Sequence, residues 1–172
     1  MSIWYRAHTN SNSQFVFSGD GGLYTSGRWN HLGKKVVYCS DSIALATMEW
    51  LSHNGLSVSG FSYYRYSIEV PDHLITAFSI SDLPTDWAAT PSTNDTRDFA
   101  NDNLFLTDGP LAISVPSVLV PEEKNLIIII KFINLENSDA NSIMTATKLI
   151  CGLPSPARNA EIRVTYPLCH RK

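Results

Sequence analysis

Alternation of apolar and polar residues along the chain predicts most of its β-strands. The clearest case is residues 61–70, in which every second residue from Tyr64 onward is apolar and Pro71 ends the run. Residues 125–132 are almost wholly apolar, which is typical of a strand buried on both faces. Shorter runs predict further strands at residues 3–8, 34–39, 74–78 and 111–115.

Two helices are expected between these strands. Polar residues 40–42 can cap a helix that runs to about residue 52, because their side chains can accept hydrogen bonds from the first helical amides. The Asn-Gly pair at 54–55 then ends this helix. A second helix is predicted at residues 93–103. Several strands with few helices indicate an α+β fold.

Residues 9–26 have the composition of a loop. They are polar and rich in glycine, with Gly-Asp-Gly-Gly at 19–22. They contain neither a GxxxxGK[ST] phosphate loop nor a GxGxxG motif after a strand. We predict a flexible loop here, and the alternative is a lid over a ligand.

Length and composition predict one globular domain over residues 1–172. The chain is 44% apolar and 17% charged with a net charge of -3, which argues against a general binder of nucleic acid or of anionic membranes. No signal-peptide pattern is visible, and the longest apolar run, residues 126–130, is too short to cross a bilayer. The three cysteines form no CxxC pair. We therefore expect a cytoplasmic protein with reduced thiols.

Three side chains of complementary chemistry fall within residues 27–49. Arg28 lies in a glycine-bounded loop, where its planar guanidinium can bind a phosphate. Tyr38 ends a predicted strand, and Glu49 lies near the apolar edge of the first helix. Each has an ordinary alternative: a surface arginine, a packing tyrosine and a solvated glutamate.

Other candidate residues indicate neither a metal site nor a catalytic triad. The five histidines show no HExxH or CxxC/HxxxH spacing, so no zinc site is expected. A GxSxG nucleophile motif is missing from the sequence. Trp29 is either a core residue or a stacking platform, and Ser117 is by default a turn residue.

Six sequence fragments, taken together, resemble the RES domain family, the toxins of bacterial Xre–RES toxin–antitoxin modules. The fragments are WYRAH at 4–8, SGRWN at 26–30, VYCS at 37–40, ALATME at 44–49, LPTDW at 83–87 and SVPS at 114–117. They occur in the family's order and span most of residues 3–125. Each fragment is short, and the specificity comes from their joint order.

The resemblance implies an ADP-ribosyltransferase-like fold, with mixed or antiparallel sheets and a few flanking helices. It also implies that NAD+ is consumed as a substrate, without a separate cofactor, by cleavage of the nicotinamide–ribose bond with water or phosphate. The alternatives are a protein ADP-ribosyltransferase and an inactive module that only binds an antitoxin. The implied partner is a helix-turn-helix antitoxin of the Xre type, and family members are often dimeric.

Four residues match functional positions of the family: Arg28, Tyr38, Glu49 and Ser117. Tyr38 follows Arg28 by ten residues and precedes Glu49 by eleven, which fits the family pattern. The resemblance implies that Arg28 clamps a phosphate and that Tyr38 positions the ribose. It likewise implies that Glu49 stabilises the developing cation and that Ser117 fixes the pocket.

Arg6 and Trp29 match two further motif positions and complete the set of candidate NAD+-binding residues. The resemblance ends near Asn125, because the Asn-Pro and His-Pro motifs with which the family continues are missing. Residues 134–172 are therefore expected to form an atypical tail of the domain.

Overall fold

Seven strands form one mixed sheet in the computed structural model, which describes residues 1–55, 63–130 and 146–151. The strands are β1 (Ser2–His8), β2 (Val36–Ser40), β3 (Tyr63–Val70), β4 (Ile75–Ala77), β5 (Ala112–Pro116), β6 (Lys124–Ile129) and β7 (Ala146–Cys151). Their order across the sheet is β4-β5-β6-β2-β1-β3-β7. The β4–β5 pair is parallel and the other pairs are antiparallel.

Four helices flank the sheet in the described ranges. They are α1 (Ser13–Val16), α2 (Gly21–Tyr24), α3 (Ile43–Asn54) and α4 (Asn94–Asn103), with 3-10 turns at Asp72–Leu74 and Ile80–Asp82. The α+β fold that the sequence predicts is therefore confirmed. None of the described helices combines the length and the apolar character that a membrane crossing requires.

Helix α3 begins and ends where the sequence predicts. The Ser42 hydroxyl accepts a hydrogen bond from the Leu45 amide at 3.0 Å, which caps the first turn. Gly55 follows the last turn with a φ of 80°, and its amide donates to the Leu51 carbonyl at 2.8 Å. These two ends fix the helix against β1 and β2, which it contacts.

The prediction of a flexible loop over residues 9–26 is wrong, because α1 and α2 lie there. Asn12 caps α1 by accepting hydrogen bonds from the amides of Gln14 and Phe15. Val16 and Phe17 are only 3% and 6% exposed, since they pack into the core. Two apolar residues in a polar segment are sufficient to anchor it to the sheet.

Successive residues of the central strands point alternately into two apolar clusters, one on each side of the sheet. The first cluster includes Val37, Cys39, Leu126 and Ile128, together with Trp4, Val16, Phe17 and Tyr66. The second includes Val36, Ile127 and Ile129, together with Trp29, Leu83, Trp87 and Ala100. By the same alternation, Tyr38 and Asn125 face the side of the second cluster.

The other predicted elements agree with the structure to within a few residues. Residues 61–62 and 131–132, at the ends of two predicted strands, lie outside the described residues. The sequence did not predict β7, which pairs with β3 along residues 146–151. The remainder of the tail from residue 134 is also outside the described ranges.

Candidate active site

A cavity opens where β1 and β2 part from each other. The two strands are paired at Tyr5 and Ser40, and continuing that antiparallel register would place Ala7 opposite Tyr38, a pair that does not form. The cavity has a volume of about 260 Å³ and is lined by residues 5–9, 38–40 and one face of α3. It is therefore built from a gap in the sheet.

Glu49 of α3 lines this cavity and is held through one carboxylate oxygen. Its Oε1 accepts a hydrogen bond from Ser117 Oγ at 3.0 Å and a second from Asn125 Nδ2 at 2.6 Å. Neither donor is near it in sequence, since they are 68 and 76 residues away. The carboxylate is thus oriented by the ends of β5 and β6.

Ser117 follows β5 directly and is completely buried. Its hydroxyl oxygen accepts hydrogen bonds from the amides of Leu119 and Val120 at 3.1 and 3.4 Å. Because these amides can only donate, the hydroxyl proton of Ser117 is directed to Glu49. Ser117 is therefore both the cap of a turn and a fixed donor to the carboxylate.

Arg6 places a buried guanidinium in the same cavity. Its Nη1 donates to the Tyr38 carbonyl at 2.6 Å, a carbonyl that faces the gap between β1 and β2. Burial lowers the pKa of Arg6 from its ordinary value, and its buried Nε has no hydrogen-bond partner among the described residues. None of the ion pairs found among the described residues involves Arg6. A cation left this incomplete is suited to bind an anionic ligand.

Arg28 is anchored outside the cavity wall. Its Nη1 donates to the carbonyls of Trp87 and Ala89 at 2.6 and 2.8 Å. Burial is the main cause that lowers the pKa of Arg28, and the nearby charge of Glu49 opposes it. Arg28 thus joins its loop to residues 87–89 while its charge remains close to the carboxylate.

Tyr38 lines the cavity, and its hydroxyl points into the arginine loop. The hydroxyl donates to Asn30 Oδ1 at 2.7 Å and accepts from the Trp29 amide at 3.1 Å. Burial raises the pKa of Tyr38 well above its ordinary value, so the phenol stays neutral. At Gly27, an added Cβ would lie 2.6 Å from this hydroxyl, which is why the loop requires glycine there.

Trp29 lies in the core. Its side chain is 3% exposed and makes an edge contact with Phe99, with ring centroids 6.0 Å apart. Of the six residues that the sequence proposes, the cavity brings together Arg6, Tyr38 and Glu49. Ser117 contacts Glu49, Arg28 lies nearby, and Trp29 packs in the second cluster.

Other residues that line the cavity were not proposed from the sequence, and they include Asn125, His8 and His53. His53 follows Glu49 by four residues, so a helical spacing could have indicated it. Nδ1 of His8 accepts the Asn10 amide at 2.9 Å, so in the neutral ring Nε2 carries the proton. Burial, with help from Arg6, lowers the pKa of His8 and favours this neutral form.

No metal-binding arrangement is found in the described part of the chain, where no three His, Cys, Asp or Glu side chains converge. The chemistry available in the cavity is instead a carboxylate, a guanidinium, an aromatic ring and imidazole donors. Such a set can bind an anion at one end and stabilise a positive charge at the other.

The fold and the cavity together define an α+β protein with an enzyme-like cleft in its sheet. The RES domain family model matches residues 3–136. The chain therefore belongs to the RES domain family, and the resemblance indicated by the six sequence fragments is confirmed.

Relatives and a solved structure agree with this assignment. "Toxin Res" of Photorhabdus laumondii subsp. laumondii is 31% identical over 126 residues, which are 73% of this chain and 80% of that protein. "Prs ADP-ribosylating toxin" of Sphingobium sp. strain YBL2 is 37% identical over 116 residues, 64% and 70% of the two chains. A chain of the M. tuberculosis MbcT–MbcA toxin–antitoxin complex has the same fold, with a TM-score of 0.57 and 18% identity over 74% of this chain and 73% of its own.

Proposed function

We propose that this protein is the toxin of a toxin–antitoxin system and that it depletes NAD+ by cleaving the nicotinamide–ribose bond. The observation that carries the proposal is the fixed Glu49 carboxylate, which shares one cavity with the Arg6 guanidinium, a cation without an ion-pair partner among the described residues. The toxin names of the relatives in the family support the biological role.

The charges of the cavity are complementary to those of NAD+. The dinucleotide carries an anionic pyrophosphate and a cationic nicotinamide ring at opposite ends of one ribose. Arg6 would bind the anionic part, since its guanidinium lacks a carboxylate partner in the described residues. Glu49 would face the ribose, where positive charge develops. The volume of about 260 Å³ suits one half of the dinucleotide.

Bond cleavage proceeds through an oxocarbenium-like state, as in glycoside hydrolysis. The electron pair of the C1′–N bond moves to the ring nitrogen, and neutral nicotinamide leaves. Water then attacks C1′ and loses a proton. Because nicotinamide is already a cationic leaving group, the site requires no strong general acid, and Glu49 stabilises the cation or orients the water.

The other candidate residues support this step. The Tyr38 ring would position the ribose from the cavity wall, and Ser117 would keep the Glu49 carboxylate in place. Arg28 would add positive charge for the phosphates from its anchored loop. Trp29 would act indirectly, by holding that loop against Phe99. NAD+ enters as a substrate, and the proposal includes no resident cofactor.

Transfer of ADP-ribose to a protein is the second candidate function. It is favoured by the relative named "Prs ADP-ribosylating toxin", which is 37% identical over 116 residues. The two functions share NAD+ binding and differ in the acceptor, which is water or phosphate in one case and a protein side chain in the other. NAD+ carrying a label in its ADP-ribose part, incubated with cell lysate, distinguishes them, because the label ends in a free nucleotide or on protein.

The proposed partner is an Xre-type helix-turn-helix antitoxin that closes the cavity. The fold shared with a chain of the MbcT–MbcA toxin–antitoxin complex supports an antitoxin partner in general. We propose that the toxin acts in the cytoplasm, where NAD+ is available, and that it forms a homodimer as family members often do.

The test is an NAD+ depletion assay with the purified chain, with and without phosphate. In Glu49→Gln the amide oxygen can still accept the hydrogen bonds from Ser117 and Asn125, but the negative charge is lost. Turnover should therefore fall by about 10²-fold or more. Glu122→Gln makes the same change at an exposed residue and should retain wild-type turnover. A stable wild-type chain that leaves NAD+ intact in both buffers would support the inactive, antitoxin-binding alternative.

A further inference from the structure

Asn125 is the polar residue that begins the buried part of β6. The four residues that follow it are at most 6% exposed, and Asn125 itself lines the cavity beside Glu49. It is paired with Ser40 on β2 and with Val115 on β5, so its backbone is fixed on both sides. A polar side chain in such a position requires hydrogen-bond partners, and Asn125 has two.

The two hydrogen bonds of Asn125 fix the orientation of its amide. Nδ2 lies 2.6 Å from Glu49 Oε1, and Oδ1 accepts the Ser40 hydroxyl at 2.9 Å. An ionised carboxylate can only accept, so the amide nitrogen must face Glu49 and the amide oxygen must face Ser40. Ser40 is 3% exposed, which protects its bond from competing water. The donor and the acceptor of both hydrogen bonds, from Ser40 to Asn125 and from Asn125 to Glu49, are therefore determined.

Both donors to Glu49 converge on the same oxygen. Asn125 and Ser117 hydrogen-bond Oε1, whereas Oε2 receives no hydrogen bond from the residues that the structure describes. Two donors on one oxygen prevent the carboxylate from rotating about its own axis. Oε2 is thereby left available to a ligand in the cavity that Glu49 lines.

We propose that Asn125, held by Ser40, is a positioning residue that orients the Glu49 carboxylate for the bond cleavage. The inference rests on the proposed NAD+-cleaving function, because it assigns Asn125 a role in that reaction. Asn125 acts through Glu49 and contributes to turnover more than to NAD+ binding. Ser40 contributes one step further away, by keeping the amide in the orientation that points Nδ2 at Glu49.

The kinetic test measures NAD+ cleavage against pH for Asn125→Ala, Asn125→Asp and Ser40→Ala. Asn125→Ala should lower kcat by about tenfold to a hundredfold with KM nearly unchanged. Ser40→Ala should lower kcat by roughly two- to fivefold, since it removes only the support of the amide. Asn101→Asp, which adds the same charge on α4, is the matched control and should behave as wild type.

Asn125→Asp is the most informative variant. It replaces the donor with a second carboxylate beside Glu49, and two such groups resist being ionised together. In the plot of kcat/KM against pH, the acidic limb should therefore move to higher pH by about one unit or more. These variants leave unchanged Arg28, whose charge interacts with Glu49, and the other titratable groups that line the cavity in the described residues, which are Tyr5, Arg6, His8, Tyr38, Cys39 and His53. A purely structural asparagine would alter stability and leave this limb in place.

A second measurement separates failure of this inference from failure of the proposed function. Asn125→Asp should lower Tm at pH 7 by about 5 °C in the wild-type background and by much less together with Glu49→Gln, whose amide can donate to the new carboxylate. The difference between these two Tm losses measures the coupling between Asn125 and Glu49 and requires no catalysis. It therefore shows whether Asn125 holds Glu49 even if the wild-type protein leaves NAD+ intact. Absence of coupling, or coupling with wild-type kcat and pH profile, overturns the proposal.

Discussion

The carboxylate of Glu49 and the guanidinium of Arg6, on two sides of the cavity, differ in how many hydrogen bonds the described residues make to them. Glu49 receives two hydrogen bonds on one oxygen, from side chains that are themselves held by further hydrogen bonds. Within the part of the chain that the structure describes, Arg6 has one carbonyl acceptor, and its buried Nε has no hydrogen-bond partner. The Glu49 carboxylate is thus oriented in advance, whereas the Arg6 guanidinium keeps a donor that no described residue uses.

This difference indicates which group stabilises the transition state and which group contributes to substrate binding. A group that is already oriented loses little entropy when the reaction occurs, so it favours the transition state. A cation with missing partners gains them when an anion enters, so it favours binding. We therefore expect variants on the Glu49 side to change kcat and variants at Arg6 to change KM.

Among the substitutions that test this comparison beyond Glu49 and Asn125, Arg6→Gln should have the largest effect, because it removes a charge from the cavity. We expect KM for NAD+ to rise by roughly 10- to 100-fold, the equivalent of one charge-assisted hydrogen bond, with a smaller change in kcat. Steady-state kinetics measure both constants. The matched control is Arg65→Gln on β3, a residue outside the cavity lining, and it should leave KM within about twofold of wild type. Equal loss in kcat and an unchanged KM for Arg6→Gln would contradict the division of roles.

Ser117→Ala should have the next largest effect and should sharpen the comparison on the carboxylate side. It removes one of the two donors to Glu49, so kcat should fall by about tenfold while KM stays close to wild type. Ser114→Ala is a close control, because Ser114 is also buried and lies three residues earlier, but its hydroxyl has no hydrogen-bond partner in the described ranges. If both variants lose the same activity, the hydrogen bond to Glu49 is not the cause.

Tyr38→Phe should have the smallest effect on the reaction. It retains the aromatic ring and removes only the hydroxyl, which hydrogen-bonds Asn30 and the Trp29 amide. We expect the free energy of unfolding to fall by about 1–2 kcal/mol and kcat to change by less than about threefold. Urea unfolding and the NAD+ assay report the two quantities. A loss of activity as large as that of Glu49→Gln would mean that the phenol itself contacts the substrate.

The sequence predicted the parts of the fold that depend on local pattern. Alternation in residues 64–70 and the caps of α3 at Ser42 and Gly55 are properties of neighbouring residues, and both agree with the structure. Residues 9–26 were mispredicted because Val16 and Phe17 are stabilised by contacts with distant strands, which composition does not reveal.

The candidate site was predictable only in part, because it too depends on contacts between residues that are distant in sequence. The family motifs pointed to Tyr38 and Glu49, which line the cavity. Asn125 was missed because its role depends on the pairing of β6 with β2, which brings it to Ser40. Arg6 was placed among the candidates without a defined role, since only the structure shows that it bonds the carbonyl of Tyr38 where β1 and β2 part.

The parting of β1 from β2 also has a consequence for how such proteins diverge in evolution. The cleft is created by the course of two backbones, so exchanging a side chain on its wall reshapes the opening without closing it. Single substitutions at lining positions beside Arg6, such as Tyr5, Ala7 and Thr9, can therefore change the shape of the cleft while the sheet that supports them is inherited intact. A lineage can explore new acceptors or nucleotides on this scaffold without first acquiring a new fold.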